Sequence, residues 1–298
     1  MRYRVVHTTR YRYSQPVTLC HNEAHLRPRS FDRQHCRDSR LLIEPAPAVT
    51  HERVDFFGNR VTYFAIQEPH DLLTVTASSH VELHSLAAVP SFEAALPWDT
   101  MMARLAHDFS AAAIEARQLV LDSSMVASSP DLAEFALSSF AAGRPLLVAV
   151  HDLSRRIHRE FVYDPNFTTI ATPLSEVLTL RRGVCQDFAH LAIGCLRSLG
   201  LPARYVSGYL QSVPPPGQPR LRGADTSHAW FAAFDPDIGW VDFDPTNDQI
   251  VNDQHVTTAW GRDYADVTPL KGVAFGGGAH TLEVAVDMEP EGTAASDQ

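Results

Sequence analysis

Hydrophobic and polar positions alternate along the first 90 residues of the chain. Residues 2–13, RYRVVHTTRYRY, follow a period of two, which is typical of a half-buried β-strand. In residues 54–66, VDFFGNRVTYFAI, the pair Gly58-Asn59 separates two aromatic-rich runs and indicates a hairpin. The sequence therefore predicts an antiparallel sandwich or barrel-like sheet over this region.

Residues 91–144 change to a helical spacing. The runs MMARLAHDFSAAAIEARQLVL (101–121) and SPDLAEFALSSFAAG (129–143) predict helices, and Ser129 or Asp131 is suited to cap the second one. A further helix is predicted by apolar residues that recur at intervals of four, three and four, namely Leu146, Val150, Leu153 and Ile157.

The rest of the chain predicts two helices and several strands. The first helix begins at about Leu174 and breaks at Gly183, and the second runs from near Cys185 to Gly200. The strand-like segments are ARYVSGYL (203–210), SHAWFAAF (227–234), GWVDFDP (239–245) and HTLEVAVDM (280–288). A proline-rich segment, residues 211–226, separates the first two strands, and we expect it to border the mouth of a cleft.

These patterns predict an α+β protein in four parts. Residues 1–90 form an antiparallel β domain and residues 91–144 a helical connecting region. Residues 145–288 form a core in which a helix packs on an antiparallel sheet. Residues 289–298, EPEGTAASDQ, are expected to be a disordered tail.

Composition narrows the possible partners. The 35 acidic and 25 basic residues give a net charge of −10, which disfavours nucleic acid or an anionic membrane as a partner. No apolar run approaches the roughly 18 residues of a membrane-spanning helix, and the first residues lack the apolar core of a signal peptide, so we expect a cytoplasmic protein. The four cysteines show neither metal-binding spacing nor a disulfide framework, so we expect free thiols.

Cys185 is the candidate nucleophile. It follows Gly183-Val184 and falls in the first turn of the predicted helix, where free backbone N–H groups and the helix dipole favour a thiolate. A cysteine can instead be a small buried hydrophobic residue, and Cys195, deeper in the same helix, fits that interpretation. A nucleophilic thiol also needs a base within hydrogen-bond reach and a third group that orients the base.

Two later strands supply both groups. If residues 235–237 form a three-residue turn, His228 pairs directly with Asp244 and the two side chains share one face of the hairpin. A register shifted by one residue would turn Asp244 away. Asp242 is the alternative acid because it shares the face of Asp244.

His190 is the alternative base, but it lies five residues after Cys185, about 140° around the helix axis, and so points away from the thiol. Gln186 and Asp187 complement the helix dipole in this interpretation. Gln186 is also a candidate for lining the cleft.

Three segments together resemble the core of the transglutaminase-like superfamily. They are GVCQDFAHL around Cys185, SHAW around His228 and GWVDFDPTN around Asp244, and the resemblance covers about residues 145–250. Their chain order matches the papain-type Cys-His-Asp triad of that family.

Two further matches strengthen the resemblance. The family places its acid four residues after a tryptophan and just before the threonine of a D-x-T element; Trp240, Asp244 and Thr246 fit this pattern and favour Asp244 over Asp242. The N-terminal β region resembles the domain that precedes this core in a bacterial branch of candidate cysteine proteases.

The resemblance implies a papain-like core and an acyl-transfer reaction on amide bonds through a thioester on Cys185. His228 would be the base and Asp244 the residue that orients it. Hydrolysis of a peptide or protein amide is the first expectation, because the bacterial branch is described in that way, and transamidation between proteins is the second. The rival is a non-catalytic binding module on the same fold. Neither a metal nor a cofactor is implied, and the oligomeric state stays open.

Overall fold

The structure, a computed structural model, describes residues 1–84, 91–165, 167, 172–212 and 225–291. It contains two antiparallel sheets with helices between them along the chain, which confirms the predicted α+β class. The N-terminal part contributes five strands: β1 (Arg2–Ala24), β2 (Gln34–Glu44), β3 (Val49–Val54), β4 (Arg60–Ile66) and β5 (His70–Leu83).

The long strand β1 organises the N-terminal sheet. Its first part pairs with β5 and its second part with β4. The period of two in the sequence corresponds to alternate burial, since Tyr3 and Val5 are buried and Arg4 is exposed. The predicted hairpin at Gly58 joins β3 to β4, with the glycine at a φ of 77° that favours a residue without a side chain.

Helices follow in the connecting region: α1 (Trp98–His107), α2 (Ala111–Gln118), α3 (Pro130–Leu137) and α4 (Leu146–Glu160). The helical run 101–121 is interrupted because the Ser110 side chain accepts the N–H of Ala113 and starts a new helix there. Ser129 caps α3 by accepting the N–H of Leu132. The apolar stripe predicted for α4 is fully buried.

The next elements form the core domain. They are β6 (Val162–Tyr163), α5 (Leu174–Leu180), β7 (Arg182–Gly183), α6 (Cys185–Ser198), β8 (Ala203–Leu210), β9 (Thr226–Asp235), β10 (Gly239–Asp244), β11 (Gln249–Ile250), β12 (His255–Gly261) and α7 (Tyr264–Val267). A five-stranded antiparallel sheet has the order β11-β10-β9-β8-β12, and α6 packs on β8 and β9. Among the helices that the structure describes, none is long and apolar enough to cross a membrane.

The last two strands return to the N-terminal sheet. β13 (Leu270–Gly276) and β14 (His280–Pro290) both pair with β1 and bring that sheet to seven strands. This differs from the division predicted from the sequence, which assigned residues 145–288 to the core and began the tail at residue 289. Local alternation identifies a strand but not its partner. Residues 292–298 of the expected tail lie outside the described part of the chain.

Side chains of the N-terminal domain cover the outer edge of β12. The Gln34 amide accepts the N–H of Thr257 at 2.8 Å and donates to the carbonyl of the same residue at 2.7 Å. The Asn59 amide accepts the N–H of Trp260 at 3.0 Å and donates to its carbonyl at 2.9 Å. Each amide thus takes the place that the backbone of a neighbouring strand would occupy.

Candidate active site

Cys185 is the first residue of α6. The preceding residue, Val184, is extended, and its N–H donates to Oδ2 of Asp187 at 2.8 Å, which fixes the start of the helix. A Cβ at position 183 would lie 2.8 Å from the Asp187 side chain, so this approach requires glycine. The half-buried thiol therefore lies at the positive end of the helix dipole, where the first-turn N–H groups have no intrahelical acceptor.

His228 links the thiol to the acid. Its Nε2 lies 2.8 Å from Oδ2 of Asp244, and the Cys185 thiol is close enough to act on the charge of the ring. Because Nε2 is engaged by the carboxylate, Nδ1 is the nitrogen left for the thiol. Burial opposes a charge on the ring, but the hydrogen bond to Asp244 and the neighbouring Cys185 thiol outweigh burial and raise the pKa of His228 to about 10. The imidazole is therefore protonated at neutral pH.

Asp244 is fully buried and held by five hydrogen bonds. Its Oδ1 accepts the backbone N–H groups of Thr246 at 3.0 Å and Asn247 at 3.3 Å. Its Oδ2 accepts from His228, from Nε2 of His255 at 3.3 Å and from the Asn247 amide at 2.7 Å. Burial alone would raise the pKa of Asp244, but the bonds to the two histidines and to Asn247 hold it well below the usual range of a carboxyl. The acid is therefore ionised at neutral pH.

The hairpin that brings His228 to Asp244 has a different register from the predicted one. Asp235 pairs with Gly239 and Phe231 with Phe243, so the predicted direct pairing of His228 with Asp244 is wrong by two positions. A shift of two residues leaves every side chain on its original face. The two groups consequently meet on a diagonal rather than directly across the ladder.

Asp242, the alternative acid, has another partner. Its Oδ1 accepts the indole N–H of Trp230 at 3.0 Å, and the Trp230 side chain is fully buried. A tryptophan ring in this position needs Gly208 on β8, because a Cβ there would lie 2.5 Å from the ring. Asp242 therefore anchors the packing of this face of the sheet.

The other candidates occupy separate positions. His190 is buried, its Nε2 accepts the N–H of Tyr264 at 3.1 Å, and burial lowers its pKa to about 4, so it is a neutral structural residue. Gln186 lines a cavity of 220 Å³ together with Asp187 and His190. Cys195 is fully buried, as its hydrophobic interpretation requires.

Two side chains that contact Asp244, those of Asn247 and His255, were not predicted from the sequence. Asn247 contacts Asp244 from three residues further along the chain, and its place in the turn after β10 is the signal that could have identified it. His255 lies on β12, a strand that the sequence pattern did not predict. Of the proline-rich segment expected at the cleft, residues 213–224 lie outside the described part of the chain.

The described residues include no group of three or more His, Cys, Asp or Glu side chains arranged to hold a metal ion.

The site predicts selective alkylation of one thiol. Iodoacetamide reacts with thiolates, and reactive cysteines typically lie at helix N-termini and beside histidines, the two features that surround Cys185. We expect alkylation at pH 6 to modify Cys185 well before the other three cysteines. Burial raises the pKa of Cys36 and of Cys195 above that of an ordinary thiol, and Cys20 is buried. Peptide mapping by mass spectrometry measures the four rates, and equal rates would contradict the prediction.

Comparisons with known proteins identify the family of the chain. Residues 3–82 match the bacterial transglutaminase-like N-terminal region, and residues 138–245 match the transglutaminase-like superfamily. The chain belongs to the transglutaminase-like superfamily.

Several relatives are similar over most of the chain. An uncharacterized protein of Mycobacterium tuberculosis (strain ATCC 25618 / H37Rv) is 42% identical over 296 residues, which cover 97% of this chain and 93% of the relative. A candidate cysteine protease from Cytophaga hutchinsonii has a crystal structure that covers 98% of this chain and 91% of its own, with a TM-score of 0.75 and 21% identity, which shows the shared fold. A protein-glutamine gamma-glutamyltransferase of Pseudomonas aeruginosa is 31% identical over 109 residues, or 36% of this chain and 16% of that protein.

Proposed function

We propose that this protein is an enzyme that cleaves amide bonds through a thioester on Cys185, with hydrolysis of a peptide or protein amide as its reaction. The observation that carries the proposal is the placement of the Cys185 thiol at the start of α6 beside His228, whose Nε2 is hydrogen-bonded to Asp244. A nucleophile, a base and an ionised group that orients the base are the three parts that covalent acyl transfer requires.

The reaction begins with attack of the Cys185 thiolate on the carbonyl carbon of the amide. A C–S bond forms, and the carbonyl oxygen takes up negative charge beside the backbone N–H of Cys185. As the C–N bond breaks, His228 donates its proton to the departing amine. Water then attacks the thioester, His228 accepts a proton from it, and the acid product leaves with the thiolate restored. Asp244 holds the imidazole in place throughout and stabilises its charged form.

Transamidation is the second candidate reaction. It shares every step up to the thioester and differs only when an amine, instead of water, attacks the acyl group. The partial sequence similarity to the protein-glutamine gamma-glutamyltransferase of Pseudomonas aeruginosa favours it. A non-catalytic binding module is disfavoured, because a buried ion pair is costly to retain where no chemistry uses it.

A mass-spectrometric screen tests the proposal. The protein is incubated with a peptide library, with and without a small primary amine. Hydrolysis releases shorter peptides or free acids, whereas transamidation adds the mass of the amine. Cys185→Ala should abolish either product, and Cys36→Ala, which removes another partly exposed thiol, should leave it unchanged. Products that persist in Cys185→Ala, or a wild-type protein with neither products nor selective alkylation of Cys185, would overturn the proposal.

The proposed substrate partner is a peptide or protein that carries the amide bond. The cytoplasm is the proposed location. Subcellular fractionation of the native host with immunodetection tests the location independently of the chemistry.

A further inference from the structure

A second histidine contacts the acid of the triad. The His255 side chain, at the start of β12, is 0% exposed, and its Nε2 lies 3.3 Å from Oδ2 of Asp244. The same carboxylate oxygen lies 2.8 Å from Nε2 of His228. The reaction steps described above assign no task to this second imidazole. His255 is therefore a buried polar residue in direct contact with Asp244 whose role the proposed reaction does not explain.

The His255 ring is fixed at its other nitrogen. Its Nδ1 lies 3.1 Å from Oδ1 and 3.4 Å from the backbone nitrogen of Asn252. When Nε2–H faces Asp244, Nδ1 accepts the backbone N–H of Asn252, and Oδ1 of Asn252 accepts the N–H of Gln254 at 2.9 Å, which closes the turn that holds the ring. The Trp230 indole packs edge-on against the ring at 5.3 Å. These contacts direct Nε2 of His255 toward Asp244.

The N-terminal domain holds the same segment from outside the core. The buried hydroxyl of Tyr3 on β1 donates to the carbonyl of Asp253 at 3.0 Å, two residues before His255. Two residues after it, Thr257 is held by the Gln34 amide through both its N–H and its carbonyl. His255 is thus flanked on both sides by contacts to the N-terminal sheet.

We propose that His255 is a positioning residue: its Nε2–H donates to Asp244 and keeps the carboxylate oriented toward His228. Through Tyr3 and Gln34, the N-terminal domain holds the segment that carries His255 and so contributes to this positioning. The inference rests on the proposed function of the Cys185 site. Two backbone N–H groups hold Oδ1 of Asp244. Oδ2, which accepts the N–H of His228, is held by side chains alone. Loss of the His255 donor therefore leaves Oδ2 less well oriented toward His228.

The test compares two polar substitutions that differ in reach. His255→Gln places an amide N–H close to the former Nε2, within reach of Asp244, whereas His255→Asn places it near the former Nδ1, out of reach. Because His255 is fully buried, its loss should affect kcat rather than KM. We expect His255→Asn to lower kcat roughly tenfold to a hundredfold, the effect of one hydrogen bond to a charged group, with KM within about twofold. His255→Gln should stay within about threefold of the wild type.

The pH dependence provides a readout that a packing role would not change. A less well-oriented Asp244 holds the proton of His228 less strongly, so the alkaline limb of kcat/KM should move to lower pH in His255→Asn but not in His255→Gln. Alkylation of Cys185 at pH 6 should slow in the same order, and this measurement needs no substrate.

The outcomes separate the two proposals. Wild-type protein without selective alkylation or product would refute the proposed function. Selective alkylation and activity that are unchanged in a folded His255→Asn variant would refute the positioning role alone. If His255→Asn does not fold, Gln34→Met tests the positioning role instead. This variant keeps His255 and removes both hydrogen bonds from the Gln34 side chain to Thr257. A folded Gln34→Met variant should show lower kcat and slower alkylation, and wild-type values would refute the inference.

Discussion

Replacing Asp244 by asparagine should lower kcat/KM by about 10³-fold. The corresponding change in a serine-based triad costs about 10⁴, and a smaller loss is expected here because a thiol is intrinsically more nucleophilic than a hydroxyl and depends less on its base. An asparagine retains the acceptor for the N–H groups of Thr246 and Asn247 but cannot stabilise the charged form of His228. Steady-state kinetics measure the loss of turnover, and alkylation at pH 6 measures the change in reactivity of Cys185.

Asp242→Asn is the matched control for this experiment. The substituted residue lies two positions away on the same strand and keeps an oxygen for the Trp230 indole N–H. We expect kcat/KM to fall by no more than about threefold, because Asp242 anchors packing and does not bond to the base. If Asp242→Asn proves the more damaging change, the assignment of the acid is wrong.

Gly208→Ala should destabilise the fold by about 3 kcal/mol or more. A Cβ at this position would lie 2.1 Å from the carbonyl oxygen of Val256 and 2.5 Å from the Trp230 ring. The oxygen belongs to the backbone of the paired strand β12, which cannot move aside without breaking the ladder, so the added methyl group costs more than ordinary overpacking. Urea unfolding followed by tryptophan fluorescence measures the free energy of unfolding.

Gly143→Ala controls for the loss of glycine itself. Gly143 has a φ of 72°, and a Cβ there meets no atom within 4 Å. The expected cost is only that of a left-handed backbone, about 1 kcal/mol. A Gly208→Ala variant no less stable than Gly143→Ala would show that β8 and β12 can separate freely.

The contact between His228 and Asp244 could be predicted because local rules determine which side chains share a face. A thiol in the first turn of a helix is visible in the sequence, and the faces of a hairpin depend only on whether residue numbers are odd or even. The register itself could not be predicted. Oδ1 of Asp235 accepts the N–H groups of Asp237 and Ile238, which moves the turn to residues 236–238 and shifts the pairing by two. That even shift preserved the predicted meeting of His228 with Asp244.

Long-range pairing limited the remaining predictions. Residues 145–288 were expected to form the core domain, but β13, which was not predicted, and β14 pair with β1, whose residues lie about 250 or more positions earlier in the chain. The contact of His255 with Asp244 was not predicted for a related reason. This contact depends on where β12 joins the sheet, and alternation within a strand carries no information about its neighbours.

The amide contacts on β12 also bear on self-association. A bare edge strand offers N–H and C=O groups to any other extended chain and is a template for intermolecular sheet growth. Gln34 and Asn59 occupy those groups at Thr257 and Trp260, so the N-terminal domain protects the core against unwanted strand addition. A core separated from this domain would expose an unpaired strand edge close to Asp244, and aggregation would then lower the amount of folded protein.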